Sequence, residues 1–273
     1  MSFNPIQGIV HNEGCDLHYW YQGTGPLVTF IPGGNGHGKQ YNKIMAALSD
    51  RFTCVTFDRR QMSASKAVVN KPLNPPQQAR DILAIIKAVG FERSIIFGNS
   101  LGGVLAFQFA HDHPSAVAQL IVHEAPTLLL LPDASAVYEW LVHLMELKEA
   151  EGCEAAAAEF VTRFVGYDAE GVPATAPLEP ENLRNFWENE FHIISTYMPN
   201  LWRIRENGTR VGLMRGVRSG DAFYARTTYE QEKILGCPRM DVPGHHQGFE
   251  VETEEFLPYF FDMLKLLGWS SSD

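Results

Sequence analysis

The 273-residue sequence lacks long apolar runs, paired cysteines and a basic leader. An apolar stretch such as TLLLLP is far shorter than the roughly 20 residues that a membrane-spanning helix requires. The first residues, MSFNPIQGIVHNEG, contain neither the basic nor the apolar region of a secretory signal. The four cysteines lie far apart and form no CxxC pair, which favours reduced thiols over a disulfide framework. These absences together predict a cytoplasmic protein that does not span a membrane.

Positive charge is also scarce, since 22 lysines and arginines face 32 aspartates and glutamates, for a formal net charge of −10. A negative chain repels phosphate backbones, so nucleic acid is not an expected partner. No HExxH, CxxC or EF-hand pattern is present, and the sequence therefore predicts neither a metal site nor a cofactor. A small apolar molecule is the expected partner. A homodimer is compatible with the sequence, which does not decide the oligomeric state.

The first half of the sequence contains a regular alternation of apolar strands and helices. Short apolar runs at residues 27–31, 52–57, 94–97 and 118–122 predict buried strands, and segments with helical spacing separate them. Such an alternation is typical of an α/β protein whose mostly parallel sheet is covered by helices on both faces. The carboxyl ends of the strands then meet at one edge, where the active sites of such sheets lie.

A long helical segment interrupts this alternation. From about residue 132 to residue 207 the sequence is helical and acidic without a clear strand, and the strand pattern resumes at residues 211–214. The sequence therefore predicts a sheet domain formed by residues 1–127 and 208–273, with residues 128–207 inserted as a helical cap. An insertion that leaves the carboxyl edge of the sheet is expected to lie over the site as a lid.

A candidate nucleophile lies between a predicted strand and a predicted helix. Residues 98–102 read GNSLG, the G-x-S-x-G pattern, in which a sharp strand-to-helix turn strains the serine backbone and exposes its hydroxyl. The amino terminus of the following helix stabilises negative charge that develops there. Ser100 is thus the predicted nucleophile, and a glycine-rich turn that only packs is the alternative.

With this motif in this order of elements, the chain resembles the α/β-hydrolase superfamily over nearly its whole length. The resemblance implies an α/β-hydrolase fold with a mostly parallel, eight-stranded sheet flanked by helices and a helical cap inserted after the sixth strand. It also implies a catalytic triad of serine, acid and histidine in that chain order. The aspartate nucleophile expected of epoxide hydrolases and dehalogenases is absent from position 100.

The tetrahedral oxyanion of such a reaction needs hydrogen-bond donors. One predicted donor is the backbone N–H of Leu101, next after the nucleophile, and the other is Gly34 in the loop PGGNGHG. Superfamily members usually begin this loop with His-Gly, where this chain has Pro-Gly, and a glycine loop without a role is the alternative. His37 in the same loop is a candidate for substrate contact, against the alternative of an ordinary surface histidine.

The catalytic histidine is expected in the loop PGHHQGFEVETEEF, which follows the last predicted strand. Superfamily members carry it there, ahead of an acidic residue and a phenylalanine on the closing helix. Counting back from Glu255 and Phe256 favours His246 as the general base. His245 is then structural or lines the site.

Two carboxylates compete to be the acid that orients this histidine. Asp221 follows the strand at residues 211–214, but it stands two residues beyond the usual Gly-x-x-Asp spacing, where Ser219 is found. Glu124 stands at the end of the strand at residues 118–122, which is a rigid mount. The sequence HEAP, with the GTGP and Pro-x-Gly stretches upstream, is similar to the fungal zearalenone lactonases, in which this glutamate is the triad acid. Glu124 is therefore the predicted acid and Asp221 the alternative.

One loop departs from the superfamily pattern. Most members have Asp-x-x-Gly-x-Gly-x-Ser, whereas this chain reads DRRQMSAS from Asp58, with Gln61 and Ser63 at the glycine positions. Because glycine permits backbone angles that other residues avoid, we expect this loop to adopt another conformation.

Aromatic and other large apolar residues of the predicted cap indicate the substrate class. They are Tyr138, Trp140, Phe186, Trp187, Phe191, Tyr197, Met198 and Trp202. As a group they favour an apolar lid and a small apolar, aromatic polyketide-type substrate, with Trp187 as the candidate contact. The predicted function is a serine esterase or lactonase. A lyase or carbon–carbon bond hydrolase on the same scaffold, and a binding protein with a vestigial triad, are the alternatives.

Overall fold

The structure is a computed structural model that describes residues 3–175 and 178–270. Nine strands of this part of the chain form one sheet in the spatial order β1-β2-β4-β3-β6-β7-β8-β9, and the short β5 pairs with β2. The strands are β1 (Ile6–Asn12), β2 (Cys15–Gln22), β3 (Leu27–Ile31), β4 (Thr53–Phe57), β5 (Lys66–Ala67), β6 (Ser94–Asn99), β7 (Val117–His123), β8 (Val211–Gly216) and β9 (Arg239–Val242).

The predicted mostly parallel sheet is present. Every strand pair from β4 through β9 along this order is parallel, and the three antiparallel pairs are those that β2 forms with β1, β4 and β5. The resemblance implied eight strands, and the ninth is the two-residue β5, which is too short to leave an apolar pattern. Because β5 precedes β6, the strand before the helical insertion is the seventh in chain order rather than the sixth.

Helices cover both faces of the sheet. They are α1 (Asn42–Leu48), α2 (Pro75–Ala88), α3 (Leu101–Asp112), α4 (Ala134–Glu151), α5 (Cys153–Val161), α6 (Pro180–Asn185), α7 (Phe191–Thr196), α8 (Leu201–Glu206), α9 (Phe223–Leu235), α10 (Gly248–Val251) and α11 (Thr253–Leu266). Strand β3 shows how two cores arise from one sheet. Leu27 and Ile31 join the core under α2, α3 and α9, whereas Val28 and Phe30 join the core under α1 and α11, as alternation along a strand requires.

Helices α4 to α8 lie between β7 and β8, so the region predicted as a cap is helical. A π-helical turn (Phe186–Glu190) joins α6 to α7. We call residues 128–207 the insert and residues 179–190 its anchor segment, because several polar contacts to the sheet domain originate there. Glu179 pairs with Lys39, and the side-chain amide of Asn182 donates to the carbonyl oxygen of Asn35 at 2.8 Å. No helix in the described part of the chain is both long and apolar enough to cross a membrane.

The loop that departs from the superfamily pattern has a glycine-like backbone. Gln61 has φ 64° and Ser63 has φ 44°, in the left-handed region that favours glycine. The Gln61 side chain exchanges hydrogen bonds with the backbone of Lys71 and donates to Asn185 Oδ1 at 3.0 Å. The Ser63 N–H donates to Asn182 Oδ1 at 2.7 Å. Gln61 and Ser63 thus adopt backbone angles that glycine would also adopt, and contacts to the anchor segment hold this strained backbone.

Candidate active site

Ser100 lies at the tight turn between β6 and α3, with φ 57° and ψ −129°. This backbone is strained for a residue with a side chain, as the G-x-S-x-G pattern predicted. The turn leaves no room for a Cβ at the flanking glycines, because one at Gly98 would clash with the carbonyl oxygen of Gly102, and one at Gly102 with that of Ile31. The Ser100 N–H donates to the carbonyl oxygen of His123 at 3.0 Å, which ties the turn to the end of β7.

Glu124 follows β7 directly and is fully buried, with φ 49°. Its Oε1 accepts the backbone N–H of Gly216 at 2.8 Å, and its Oε2 lies 2.7 Å from His246 Nδ1. An ionised carboxylate only accepts hydrogen bonds, so the Nδ1 of His246 carries the proton and Nε2 of the neutral ring is left to accept one. No hydrogen bond joins Ser100 Oγ to His246 within residues 3–175 and 178–270, although both residues line the same cavity.

The environment of Glu124 keeps this carboxyl group ionised. Burial by itself raises its pKa, but the neighbouring His123 and the hydrogen bond from His246 outweigh that effect, and the pKa of Glu124 lies below its ordinary value. A buried carboxylate that is ionised at neutral pH can hold the histidine tautomer and stabilise an imidazolium.

The structure does not bring the competing residues to this position. Asp221 is exposed and lines a depression on the surface beside Asp133 and Arg226. His245 is buried with its ring stacked on Tyr167 at a centroid distance of 3.9 Å, and its Nδ1 accepts the backbone N–H of Gln247 rather than contacting Glu124. Burial lowers the pKa of His245 to about 4. Of the two candidate acids and the two candidate histidines, Glu124 and His246 are the pair that a hydrogen bond joins.

A cavity of about 100 Å³ lies over Ser100. Ser100, Leu101, Gly34 and His246 line it together. Aromatic side chains from the insert and from α9 form much of the remaining wall: Phe160, Phe164, Phe186, Trp187, Phe223 and Tyr224. Trp187 thus lies where substrate contact was predicted. Three further aromatic residues of the insert also line this wall: Phe160, Phe164 and Phe186. Like Trp187, they are large apolar residues in an acidic helical segment, and that pattern is the sequence feature that indicates them.

His37 differs from its prediction. It is only 4% exposed, so the expectation of a surface histidine was wrong, and it is not among the residues that line the cavity. Burial lowers the pKa of His37. The sequence did not indicate this burial because glycines on both sides of His37 give no sign of how closely the loop packs.

Asn99 and His123 complete the hydrogen-bond network and were missed from the sequence. The Asn99 side-chain amide donates to His123 Nδ1 at 2.9 Å and to the carbonyl oxygen of His246 at 2.8 Å. Asn99 precedes Ser100, and His123 precedes Glu124. The Asn99 amide therefore links these two positions to the loop that contains His246. Ligand atoms of His123, Glu124 and His246 lie within 4.8 Å of one another, a grouping that could also hold a metal ion. Glu124 already bonds to His246, and His123 Nδ1 already accepts from Asn99. The absence of a metal site stays a prediction.

The sequence of residues 26–203 matches the family model for the alpha/beta hydrolase fold. The chain belongs to the α/β hydrolase fold family. This α/β hydrolase is similar to the uncharacterized hydrolase YraK of Bacillus subtilis (strain 168), with 24% identity over 263 residues, 94% of this chain and 96% of that protein. It is also similar to epoxide hydrolase 1 of Caenorhabditis elegans, with 30% identity over 115 residues, 40% of this chain and 28% of that one.

A solved structure shares the whole architecture of this α/β hydrolase. A thermophilic esterase from Thermogutta terrifontis superposes with a TM-score of 0.76 and 16% identity, covering 97% of this chain and 100% of that chain. Identity this low shows a common fold and says nothing of the substrate. The fold class expected from the strand and helix pattern is therefore confirmed, and the reaction must be inferred from the site.

Proposed function

We propose that this α/β hydrolase is a serine esterase or lactonase acting through Ser100, His246 and Glu124. The observation that carries the proposal is the 2.7 Å hydrogen bond between His246 Nδ1 and Glu124 Oε2, beside a cavity that Ser100 also lines. A nucleophile, a base and a buried carboxylate that orients the base are the parts that acyl transfer requires.

The reaction follows from these positions. Ser100 Oγ attacks the carbonyl carbon, His246 Nε2 takes its proton, and Glu124 stabilises the resulting imidazolium. The imidazolium then protonates the leaving alkoxide, and an acyl group remains on Ser100. Water attacks this acyl-enzyme with His246 again as base, and the acid product leaves. The lowered pKa of Glu124 favours this role, because the carboxylate stays charged while His246 gains and loses its proton.

Two backbone N–H groups are proposed to hold the oxyanion. Leu101 is the first residue of α3, where unpaired N–H groups and the helix dipole favour negative charge. Gly34 lines the same cavity and belongs to the loop after β3. A Cβ at the neighbouring Gly33 would lie 3.2 Å from Ser100 Cβ, so this loop is in close contact with the nucleophile.

We propose that residues 128–207 act as a cap on a core domain of residues 1–127 and 208–273, and that they select a small apolar substrate. The cavity of about 100 Å³ is smaller than an apolar cavity of roughly 150 Å³ that binds benzene. It therefore accommodates a compact acyl group. An aromatic macrolactone such as the substrates of the zearalenone lactonases, which the HEAP sequence resembles, requires displacement of the insert.

The relatives named above include an esterase and an epoxide hydrolase. Position 100 distinguishes these activities, since the epoxide hydrolases of this superfamily are expected to have an aspartate there and this chain has a serine. The serine favours ester chemistry.

The test replaces the nucleophile. We expect Ser100→Ala to lower the kcat for short p-nitrophenyl esters by about 10³-fold or more, and a fluorophosphonate to label wild type but not this variant. The matched control is Ser115→Ala at an exposed serine, which should keep wild-type turnover. Wild-type turnover in Ser100→Ala contradicts the proposal. Labelling of Ser100 without ester turnover or an acyl-enzyme burst favours a lyase.

A further inference from the structure

Arg59 is a fully buried arginine that no step above uses. It follows β4 in the loop DRRQMSAS and is 1% exposed. All five of its N–H donors have acceptors, which is the full capacity of a guanidinium. The Nε and Nη2 atoms donate to the carbonyl oxygen of Gly33 at 3.2 and 2.8 Å, Nη1 donates to Gln78 Oε1 at 2.8 Å, and both Nη atoms donate to the carboxylate of Glu190.

The contact with Gly33 bears directly on the oxyanion site. The carbonyl of Gly33 and the N–H of Gly34 belong to one peptide unit, which is planar and trans, so they point in opposite directions. The Gly33 oxygen also accepts the N–H of Gly36 at 3.0 Å, which gives it three donors in all. Three donors on one oxygen fix the orientation of this peptide and therefore the direction of the Gly34 N–H. They also polarise the peptide, which strengthens the N–H as a donor.

Glu190 holds the other side of Arg59. It is 0% exposed and ends the π-helical turn of the anchor segment, within the insert. Its Oε2 accepts from Arg59 Nη2 at 2.8 Å, and its Oε1 accepts from Nη1. Residues 59 and 190 therefore connect the insert to the loop beside Ser100 through a single guanidinium. π-helical turns occur often at functional positions, and here the same turn also places Trp187 in the cavity wall.

We propose that Arg59 is a positioning residue that aims the Gly34 N–H at the oxyanion, and that Glu190 of the insert fixes Arg59 for this task. The proposal rests on the proposed serine hydrolase function. It assigns to the insert a part in transition-state stabilisation in addition to its part in the cavity wall. When the insert is seated, the peptide of residues 33 and 34 is aligned.

The next residue supplies a matched control. Arg60 is 2% exposed and pairs with the buried Asp81 at 2.8 and 2.6 Å. Two further donors bind the carbonyl oxygens of Asn12, the last residue of β1, and of Glu13 in the turn to β2, and neither residue lines the cavity. The two arginines thus have the same burial and the same kind of partner, but only Arg59 contacts the loop beside Ser100.

The experiment compares Arg59→Lys and Glu190→Gln with Arg60→Lys and Asp81→Asn, using an ester substrate and an aryl trifluoromethyl ketone. Ser100 Oγ adds to the ketone carbon, the carbonyl electron pair moves to oxygen and the serine proton passes to His246, so the bound inhibitor carries the oxyanion. We expect the first two variants to lower kcat about tenfold to a hundredfold with little change in KM, and to weaken ketone binding by the same factor. The control variants should keep kcat and ketone affinity within about twofold.

To exclude loss of folded protein as the cause, the thermal unfolding of each variant is measured and the activity is assayed below its unfolding transition. If Arg59→Lys does not fold, Glu190→Gln decides, because it keeps the shape and one hydrogen-bond acceptor. Equal losses in the control pair, or a raised KM with unchanged kcat, overturn the positioning role. Wild-type turnover in Ser100→Ala instead overturns the serine mechanism itself. An inactive Ser100→Ala with unchanged kcat in both test variants overturns only the role of Arg59 and Glu190.

Discussion

The two sides of the cavity hold their polar groups by different means. On the proposed acid–base side, Glu124 and His246 follow strands β7 and β9, and one hydrogen bond of 2.7 Å joins them. On the proposed oxyanion side, Gly34 belongs to a glycine loop in which the carbonyl of Gly33 accepts from Arg59, and Arg59 in turn pairs with Glu190 of the insert. The first side depends on where strands end, and the second depends on contacts between distant parts of the chain. Three predictions separate the two sides.

The largest effect is expected on the acid–base side. Glu124→Gln keeps the shape of the side chain but removes the charge that selects the His246 tautomer, and we expect kcat for an ester substrate to fall about 10³- to 10⁴-fold. Asp221→Asn is the matched control, since Asp221 is exposed on the surface, and it should leave kcat unchanged. Steady-state kinetics on the folded variants measure both. A larger loss in Asp221→Asn than in Glu124→Gln would identify the acid as Asp221.

The second effect is a pH dependence of stability on the acid–base side. Burial lowers the pKa of His123 to about 4 in the folded protein, against about 6.5 in the unfolded chain. Between these values the unfolded chain binds a proton that the folded protein does not, so stability falls as pH falls from about 6.5 to 4. The shift corresponds to about 3 kcal/mol in the free energy of unfolding.

The variant His123→Gln keeps an acceptor for Asn99 but cannot gain this charge. Urea unfolding at pH 7 and pH 4.5 should show a smaller loss of stability in the variant than in wild type. His245 is present in both proteins, so its contribution cancels. Parallel losses in the two proteins would show that His123 is not the responsible group.

The smallest effect is expected on the oxyanion side. A Cβ at Gly34 would lie 3.2 Å from the ring of Phe186, so Gly34→Ala must displace the insert ring or the loop. We expect kcat to fall about tenfold, because a misplaced donor stabilises the oxyanion less. Adding Phe186→Leu should restore part of the loss by making room. A double variant whose losses simply add would indicate that the insert and the loop do not constrain each other.

Much of the sheet and of the acid–base side could be predicted from the sequence. The apolar run at residues 27–31 matches β3, and the predicted ends of the later strands fall within two residues of those of β6, β7 and β8. Buried parallel strands give continuous apolar runs, and residues at their carboxyl ends are brought together by the sheet itself. Ser100 and Glu124 follow such strands, so their proximity was predictable from chain order. Strand β1 was missed because it is mostly exposed and its pattern is weak.

The oxyanion side was only partly predictable. Gly34 is visible as a glycine after a strand, but Arg59 and Glu190 are 131 residues apart and no sequence pattern links them. Their pairing depends on how the insert docks, which a local pattern does not contain. The same reason applies to Gln61, whose glycine-like backbone is held by a contact with Asn185.

The anchor segment also determines which residues can be exchanged with those of a related hydrolase in a chimeric protein. Its side chains fit the loop DRRQMSAS and the loop PGGNGHG, through the Asn185 contact with Gln61 and the Asn182 contact with Asn35 among others. A chimera that exchanges residues 132–178 would keep these complementary surfaces intact while replacing part of the cavity wall. A chimera that exchanges the whole insert would separate Glu190 from Arg59 and must import the partner loop as well. Exchanges intended to change the substrate range are therefore best confined to the part of the insert before residue 179.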